Sequence, residues 1–574
     1  MREDLLDAFH VPDFYDAGVR PLSRPRSTLL AAAVACAALS SANGAAAAPI
    51  VFEAEVPAGG PDHFFVDFDV PSGTAEIEVR HDDLSEANIL DFGLDDPNGY
   101  RGWGGGTTEP IIVNEAAASR AYVPGPIPAG RWRVVVGKAK VVESPARYRI
   151  EVELRTTPTL APIDRRAYTP PPPRRAETRY YAGDLHVHSR ESTDASATLE
   201  ENVALAKQRG LEWLEISDHN TITQLEFFDA IHEKEPGFLL IPGIEYTTYA
   251  GHANAIGATK FVDHKIGQPG VTIEGAADAV RAQGAILSIN HPVLDIGDLC
   301  IGCAWKHDLD PSKIGGVEIG TLGITAGAQL FSERAIAFWD ALLDRGAKIP
   351  ALGGSDDHRA GTATGLFPAK VGSPTTLVRA SELSTQGILD GIKKGATVVK
   401  LDGPDDPMVE LEATAHTTRP TRPPRATQEE GRDSNDALAF PGDTIGVRTI
   451  YLRAKVTNGV GQTVRFVRNG KPDDAVAVTS DPFFHVVLAP APEQGEDRWR
   501  AEALVDDRPR TVTSHVWLRR DPAGPEAEAP ATGDDGCGVA PDGRPRTSWL
   551  GVTLAALAVA LLRGWGNKRA PRRR

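Results

Sequence analysis

Apolar and polar positions alternate in short runs over residues 49–156, as in Phe64-Phe65-Val66-Asp67-Phe68 and Arg131-Trp132-Arg133-Val134-Val135-Val136. Turn clusters interrupt the runs at Pro61-Asp62, Pro71-Ser72-Gly73, Asp96-Pro97-Asn98-Gly99 and Gly104-Gly105-Gly106. Period-two alternation with such punctuation predicts a β-sandwich. Between residues 181 and 404 the pattern changes. Apolar runs of strand length at 211–217, 238–241, 252–256, 285–289, 316–319 and 349–353 are spaced by helix-length stretches. Thr198-Leu199-Glu200-Glu201 has the form of a capping box opening a helix that Gly210 closes. Further helices are predicted over 330–344 and 384–394, and this strand–helix alternation suggests a barrel. Residues 405–521 return to short alternating strands (449–456, 464–468, 485–488, 511–518) and predict a second, immunoglobulin-like sandwich. Its segment 417–436 reads as a disordered insertion.

Residues 157–180 form a linker, with Pro170 to Pro173 as a polyproline spacer flanked by Arg165, Arg166, Arg174 and Arg175. The ends read as processing signals. Arg20, Arg24 and Arg26 precede the apolar run 29–39, and small residues follow it to position 48. That order is the order of a secretory signal, although residues 2–18 are acidic. At the other end Asp534-Asp535-Gly536-Cys537-Gly538 precedes an apolar stretch, 549–562, and an arginine-rich terminus. A short hydrophobic helix followed by positive charge would keep the tail cytoplasmic and the body outside. The expectation is an exported protein of the cell envelope or surface, membrane-associated only through the residues after 522.

Composition narrows the classes. The chain has 574 residues and a formal net charge of −17, which argues against avid nucleic-acid binding. Four cysteines are too few for a disulfide scaffold. Cys300-Ile301-Gly302-Cys303 is read most simply as a small disulfide, with a redox motif or zinc capture with His307 as alternatives.

Histidine carries the chemical signal. Nine of the fifteen histidines lie between His186 and His358, and within that span six strand ends each deliver a His, Asp or Glu. Asp184-Leu185-His186-Val187-His188 places two imidazoles on one side of a strand. Ser217-Asp218-His219, Gly243-Ile244-Glu245, His252, Asn290-His291-Pro292 and Gly354-Ser355-Asp356-Asp357-His358 supply the others. Imidazoles clustered with carboxylates suit Mn, Fe or Zn better than Mg or Ca. No GxSxG elbow accompanies them. Arg190 and Arg359 follow these motifs and could receive an anionic substrate or form ordinary surface ion pairs. Trp305 reads equally as a substrate contact or a packed lid residue.

In this order, with Asp194 eight residues after His186, the motifs resemble the polymerase-and-histidinol-phosphatase (PHP) family of metal-dependent phosphoesterases over about 181–400. The Ser217-Asp218-His219-Asn220-Thr221 run and the cysteine-containing insert are closest to its secreted, carbaryl-hydrolase-like members. The amino-terminal part resembles jelly-roll accessory domains of secreted bacterial peptidases, and the C-terminal signal resembles myxobacterial sorting signals. The PHP resemblance implies a distorted (β/α)7 barrel, here flanked by two all-β sandwich domains. It also implies two or three divalent metal ions (Mn, Zn or Fe). By that resemblance His186, His188 and Asp356 hold a first metal, and Glu245 bridges to a second completed by His252 and His291. Asp194, His219 and His358 form a third position, and Glu245, Asp356 and His219 are the catalytic residues. Asp184 and Asp218 are expected to orient the neighbouring imidazoles. The implied activity is metal-activated hydroxide attack on a phosphate mono- or diester, a small-molecule substrate. Carboxyl-ester or carbamate hydrolysis and a non-catalytic envelope-binding module are the alternatives.

Overall fold

Alternation builds the amino-terminal body as read. Its strands are β1 (Ile50–Glu55), β2 (His63–Val70), β3 (Glu76–Asp82), β4 (Ile89–Asp96), β5 (Gly99–Gly104), β6 (Ile111–Asn114), β7 (Gly130–Lys140) and β8 (Arg147–Arg155). They pair as two four-stranded sheets, β1-β8-β3-β6 and β2-β7-β4-β5. On β2, Val66, Phe68 and Val70 are buried while Asp67 and Asp69 face water, and Trp132, Phe92, Ile77 and Ile150 fill the core. The computed structural model describes residues 48–323, 326–364, 368–416 and 437–528. The run 29–39, the insertion 417–436, Cys537 and the apolar stretch 549–562 lie outside the described residues. Among the described residues, no helix is long and apolar enough to cross a membrane.

The linker is not a free spacer. Arg165 donates to Tyr122 O (3.4 Å) and Ala118 O (3.2 Å) of the sandwich and to Glu226 (2.8 Å) of the central body.

The central body contains β9 (Arg179–Val187), α1 (Leu199–Gln208), β10 (Trp213–Ile216), α2 (Phe228–Lys234), β11 (Leu239–Pro242), β12 (Glu245–Thr248), β13 (Gly251–Ile256), α3 (Ile273–Ala282), β14 (Ile286–Ile289), β15 (Gly316–Glu318), α4 (Ala326–Asp344), β16 (Ala351–Leu352), β17 (Thr375–Ala380), α5 (Thr385–Lys394) and β18 (Thr397–Lys400). The capping box at Thr198 and Glu201 opens α1, and Gly395 in the left-handed region (φ 83°) closes α5. Hydrogen bonding resolves the strands into two separate ladders, β11-β10-β9-β17-β18 and β12-β13-β14-β15-β16. Among the described residues the expected helix after a strand is missing at four places: between β11 and β12, between β12 and β13, which form a hairpin, between β14 and β15, which an irregular insert joins, and between β16 and β17. The pairs β9/β17 and β13/β14 are antiparallel, so a single closed parallel ladder does not form among the described residues. The ladders touch through isolated parallel bridges, Val187↔Asp357 and His219↔Glu245. Both bridges lie beside predicted site residues.

The carboxy-terminal body contains β19 (Met408–Thr414), β20 (Ala437–Ala439), β21 (Thr444–Val447), β22 (Thr449–Thr457), β23 (Thr463–Arg468), β24 (Lys471–Ala477), β25 (Phe483–Pro490), β26 (Glu496–Val505), β27 (Arg508–Thr513) and β28 (Val516–Arg520). One sheet is β20-β19-β22-β25, and Phe466, Leu452, Trp499 and Val516 pack between it and its neighbour. That neighbour continues the central body. β27 pairs antiparallel with β18 through Val398↔Thr513, Val399↔Val512 and Lys400↔Thr511, making one eleven-stranded sheet. The boundary at residue 404 is therefore a boundary of composition and not of hydrogen bonding. Pairing satisfies an edge of β18 that would otherwise be open.

Candidate metal centre

The seam between the two central ladders is where the site forms. Leu185 and Val187 turn into the core while His186 lies fully buried, with His188 just past the strand end. β12 delivers Glu245 and the hairpin returns His252 beside it. His291 follows β14, and Asp356 and His358 follow β16. Two of these residues occupy positive φ, His291 at 26° and Asp356 at 57°. Such backbone strain at non-glycine residues collects at functional sites. Gly354 allows the crowding: a Cβ there would overlap the Cβ of His186 and approach Glu318 Oε1.

Glu245 is the hub. Its Oε1 lies 3.3 Å from His186 Nε2, 3.2 Å from His252 Nδ1 and 3.3 Å from His291 Nε2. Its Oε2 lies 2.7 Å from His219 Nδ1 and 3.5 Å from His188 Nε2. Asp356 Oδ1 lies 3.2 Å from His186 Nε2 and 3.1 Å from His188 Nε2. Asp194 Oδ2 lies 3.3 Å from His219 Nε2 and 3.4 Å from His358 Nε2. All nine sequence-predicted ligands thus converge, in overlapping groups around Asp356, around Glu245 and around Asp194. His186, His188, Glu245, His252 and His291 are buried, whereas Asp194 has 42% of its side chain exposed, which marks the open side.

Charge and burial oppose one another here. Burial pushes the Glu245 carboxyl up, but the His219, His186 and His252 imidazoles hold it well below the usual carboxylate range. Burial likewise opposes charge on His186, yet Asp356, Glu245 and Glu318 push it well above an ordinary imidazole. His188 is instead lowered to about 3 by burial and by the neighbouring His358 and His219. A carboxylate hub ringed by imidazoles wants positive charge at its centre.

The donor set fits divalent cations on a second observation. Among the described residues, His186 Nε2, Glu245 Oε2 and His252 Nδ1 are buried with no hydrogen-bond partner, though each faces other donor atoms of the cluster. Buried polar atoms are normally satisfied, so these three are free to take a metal.

Hydroxyl and carbonyl oxygens also hold the rings, the one on His219 reaching the same Nδ1 that faces Glu245. Ser192 Oγ lies 3.1 Å from His188 Nδ1, and Thr247 Oγ1 lies 2.7 Å from His219 Nδ1. Cys303 O lies 3.3 Å from His291 Nδ1, and Ile301 O lies 3.3 Å from His252 Nε2. Glu318, which sequence reasoning missed, lies 3.2 Å from His186 Nδ1 and accepts the His291 N–H at 2.6 Å. The available signal was one acidic residue inside the otherwise apolar run Gly316-Val317-Glu318-Ile319.

Asp184 and Asp218 do not orient imidazoles. Asp184 accepts backbone N–H groups of His186 (3.1 Å), Ser355 (3.0 Å) and Gly372 (2.6 Å), tying β9 to the segment that carries Asp356. Asp218 accepts the N–H and hydroxyl of Ser189 at 2.7 and 2.6 Å. A short carboxylate beside a histidine reaches loop backbone more readily than the neighbouring ring. Burial raises these carboxyls to about 6 and about 7.

Cys300 and Cys303 are disulfide-bonded, and their donor atoms cluster with His252 and not with His307, which bonds to Thr248 Oγ1 at 2.8 Å. Trp305 packs over Gly251 and against His307, as part of the wall. Arg190 and Arg359 are exposed, and among the described residues neither forms an ion pair.

Residues 184–277 match the PHP domain family model, a span that holds the motifs from His186 to His252. No curated protein matches the chain. Among solved structures, a two-domain Bacteroides vulgatus protein containing a predicted PHP-like metal-dependent phosphoesterase is 18% identical. The match covers 62% of this chain and 99% of that one, with a TM-score of 0.33. A Bifidobacterium adolescentis protein, a predicted metal-dependent phosphoesterase, is 15% identical over 33% of this chain and 91% of its own, with a TM-score of 0.23. The CARDB domain of a Pyrococcus furiosus protein is 16% identical over 20% of this chain and 98% of its own, with a TM-score of 0.12.

Proposed function

We propose that this chain is an exported metal-dependent hydrolase that cleaves a phosphate mono- or diester at the seam between its two central ladders. One observation carries the reading: Glu245 lies within 3.5 Å of five imidazoles, while among the described residues its own Oε2 has no hydrogen-bond donor. The PHP domain match over residues 184–277 agrees with that chemistry.

His186, His188 and Asp356 would hold one divalent ion and His252 with His291 a second, with Glu245 shared between them. His219, His358 and Asp194 would hold a third. The ions, from the Mn, Fe or Zn group, would supply Lewis acidity to water and to the ester oxygens. Glu318, Ser192 and Thr247 fix which way His186, His188 and His219 point, so the donor atoms are set before substrate arrives. Substrate would approach over Asp194, His219 and His358, because these are the exposed members at 42%, 21% and 25%. The two ladders and the interrupted helices are consistent with a strongly distorted (β/α)7 barrel whose rim carries the site.

The test is metal analysis of the purified chain, followed by assays on p-nitrophenyl phosphate, bis-p-nitrophenyl phosphate and naphthyl carbamate. Turnover of a phosphate ester that stops on chelation and returns with Mn2+ is the expected result. Turnover of the carbamate alone would replace the phosphoesterase reading, and metal bound without turnover of any ester would remove the hydrolase reading.

A further inference from the structure

Asp194 differs from the other eight predicted ligands in how it is placed. It is the most exposed of them, on the loop between β9 and α1 that also carries His188, with nearly half its side chain in solvent. The loop's backbone carbonyls turn outward to the amino-terminal sandwich, where one guanidinium meets them. Arg120 donates from Nη1 to Ala195 O at 2.8 Å and to Arg190 O and Ser192 O at 3.4 Å each. Its Nη2 donates to Thr193 O at 2.5 Å. Glu109 aims the fork from behind, with Oε2 2.9 Å from Nε and Oε1 2.9 Å from Nη2.

Two further contacts join the same surfaces. Thr193 Oγ1 donates to Gly105 O at 2.6 Å, and Glu191 Oε2 accepts the Ala121 N–H at 3.3 Å. Gly104 helps the sandwich approach this closely, since a Cβ there would press on Thr193 Cγ2 at 3.3 Å.

We propose that the amino-terminal sandwich is a working part of the metal centre, with Arg120 as a positioning residue that sets Asp194 against His219 and His358. The proposal rests on the metal-centre reading above. Four carbonyls converging on one point repel each other unless a cation lies among them, and the planar five-donor fork of arginine can serve all four. With Arg120 removed, the loop loses these donors and Asp194 loses its place, while Glu245, Asp356, His252 and His291 stay held by the strands behind them. The expected defect is therefore confined to one ion.

The experiment compares full-length wild type with Arg120→Ala, Arg120→Lys and Glu109→Ala by Mn2+ titration calorimetry, with far-ultraviolet circular dichroism to verify folding. In Arg120→Ala one class of Mn2+ site should weaken by ~10–100-fold, the range for groups that support ligands, while the others titrate as in wild type. Millimolar guanidinium should restore part of the lost affinity. Arg120→Lys should fall between, because it returns the charge without the fork. A folded Arg120→Ala protein that titrates every site like wild type would overturn the proposal. Should Arg120→Ala fail to fold, Glu109→Ala decides: it frees the fork without emptying its pocket, and unchanged Mn2+ affinity there also overturns the clamp. Wild type that binds no Mn2+ would instead sink the metal-centre reading itself.

Discussion

His219 and Glu245 are joined twice. Their backbones form an isolated parallel bridge between the two central ladders, and His219 Nδ1 lies 2.7 Å from Glu245 Oε2. The backbone link is reinforced on both sides, by Asn220 N–H to Glu245 O at 2.9 Å and Glu245 N–H to Ser217 O at 3.1 Å. One side chain at the seam therefore reports on the joint between the sheets as well as on the site.

The first prediction follows from that double role. Glu245→Gln keeps the shape and the backbone bridge but removes the negative charge that five imidazoles face. Metal content should drop and ester hydrolysis should fall by more than ~100-fold, a larger loss than supporting groups give. The thermal midpoint in chelator should change little. Elemental analysis beside a melting curve checks both halves, and wild-type metal content in the variant would refute the shared-carboxylate assignment.

Glu318 gives a second prediction. It lies against His186 Nδ1 at 3.2 Å and accepts the His291 N–H at 2.6 Å, so one carboxylate sets two predicted ligands. Glu318→Gln should cost ~10–100-fold in metal affinity or turnover, with KM unaffected because Glu318 lies behind the ring and away from the open side. Steady-state kinetics across Mn2+ concentrations would show it.

These two residues also mark what could be read from sequence. Glu245 was legible because a carboxylate at a strand end, in order with HxH and SDH, stands out against an apolar run. Glu318 was not, because its partner lies 132 residues away and a lone acid in a short strand also describes a solvent-facing position. Asp184 and Asp218 were legible as acids beside predicted ligand histidines but were assigned to the wrong partners, since adjacency in sequence does not say whether a carboxylate reaches a ring or a backbone N–H. The pairing of β18 with β27 and the clamp at Arg120 depend on contacts between separate bodies, which local patterning does not encode.

Gly354→Ala is a third prediction. A methyl group there must displace His186 or Glu318, so the variant should lose ~1–3 kcal/mol of stability, the cost of overpacking a filled site. It should lose metal affinity at the same time. Denaturant midpoints would detect the first and Mn2+ titration the second. A Gly353→Ala comparison separates the site from general crowding, because a Cβ at Gly353 meets Val399 and Pro374 instead.

The fourth prediction concerns pH. His63 is buried beside His264, Trp103 and Tyr249 where the amino-terminal sandwich meets the central body, and among the described residues both of its ring nitrogens lack hydrogen-bond partners. Burial, helped by Lys265, lowers it from 6.5 to about 4. The unfolded chain therefore binds this proton first as pH falls. The contribution of His63 is fully present above about pH 6.5 and is lost progressively toward pH 4, by on the order of 3 kcal/mol. Glu76 has its loss in a lower window: burial opposes, but bonds from Thr159, Leu160 and Asn114 lower it from 4.5 to about 2. Its stabilisation is complete above pH 4.5 and disappears as pH falls through about 2. Urea unfolding from pH 7.5 to 4 should show falling stability that His63→Phe flattens, and an unchanged slope in that variant would refute the assignment.

The disulfide supports the last prediction. Ile301 and Cys303 belong to the Cys300–Cys303 turn, and their carbonyls face His252 Nε2 and His291 Nδ1 at 3.3 Å each. The turn is held on its outer side by packing of Cys303 with Leu294, Phe331 and Ala335. At its tip, Gly302 (φ 78°) passes close under the Thr248 carbonyl, where a side chain would collide. Reduction by a phosphine, which takes up the oxygen of water while the disulfide gains two electrons and two protons, releases the covalent link but leaves the packing. The carbonyls should then lose register with the two rings and weaken binding of the ion proposed for His252, His291 and Glu245 by about tenfold, the lower end for supporting groups. The Asp194 position, held from the sandwich, should be unaffected. The Cys300→Ser, Cys303→Ser double variant should reproduce the effect and become insensitive to phosphine. Mn2+ titration of oxidised, reduced and doubly substituted protein measures it. Equal affinity in all three would mean that Leu294, Phe331 and Gly302 hold the turn without the disulfide.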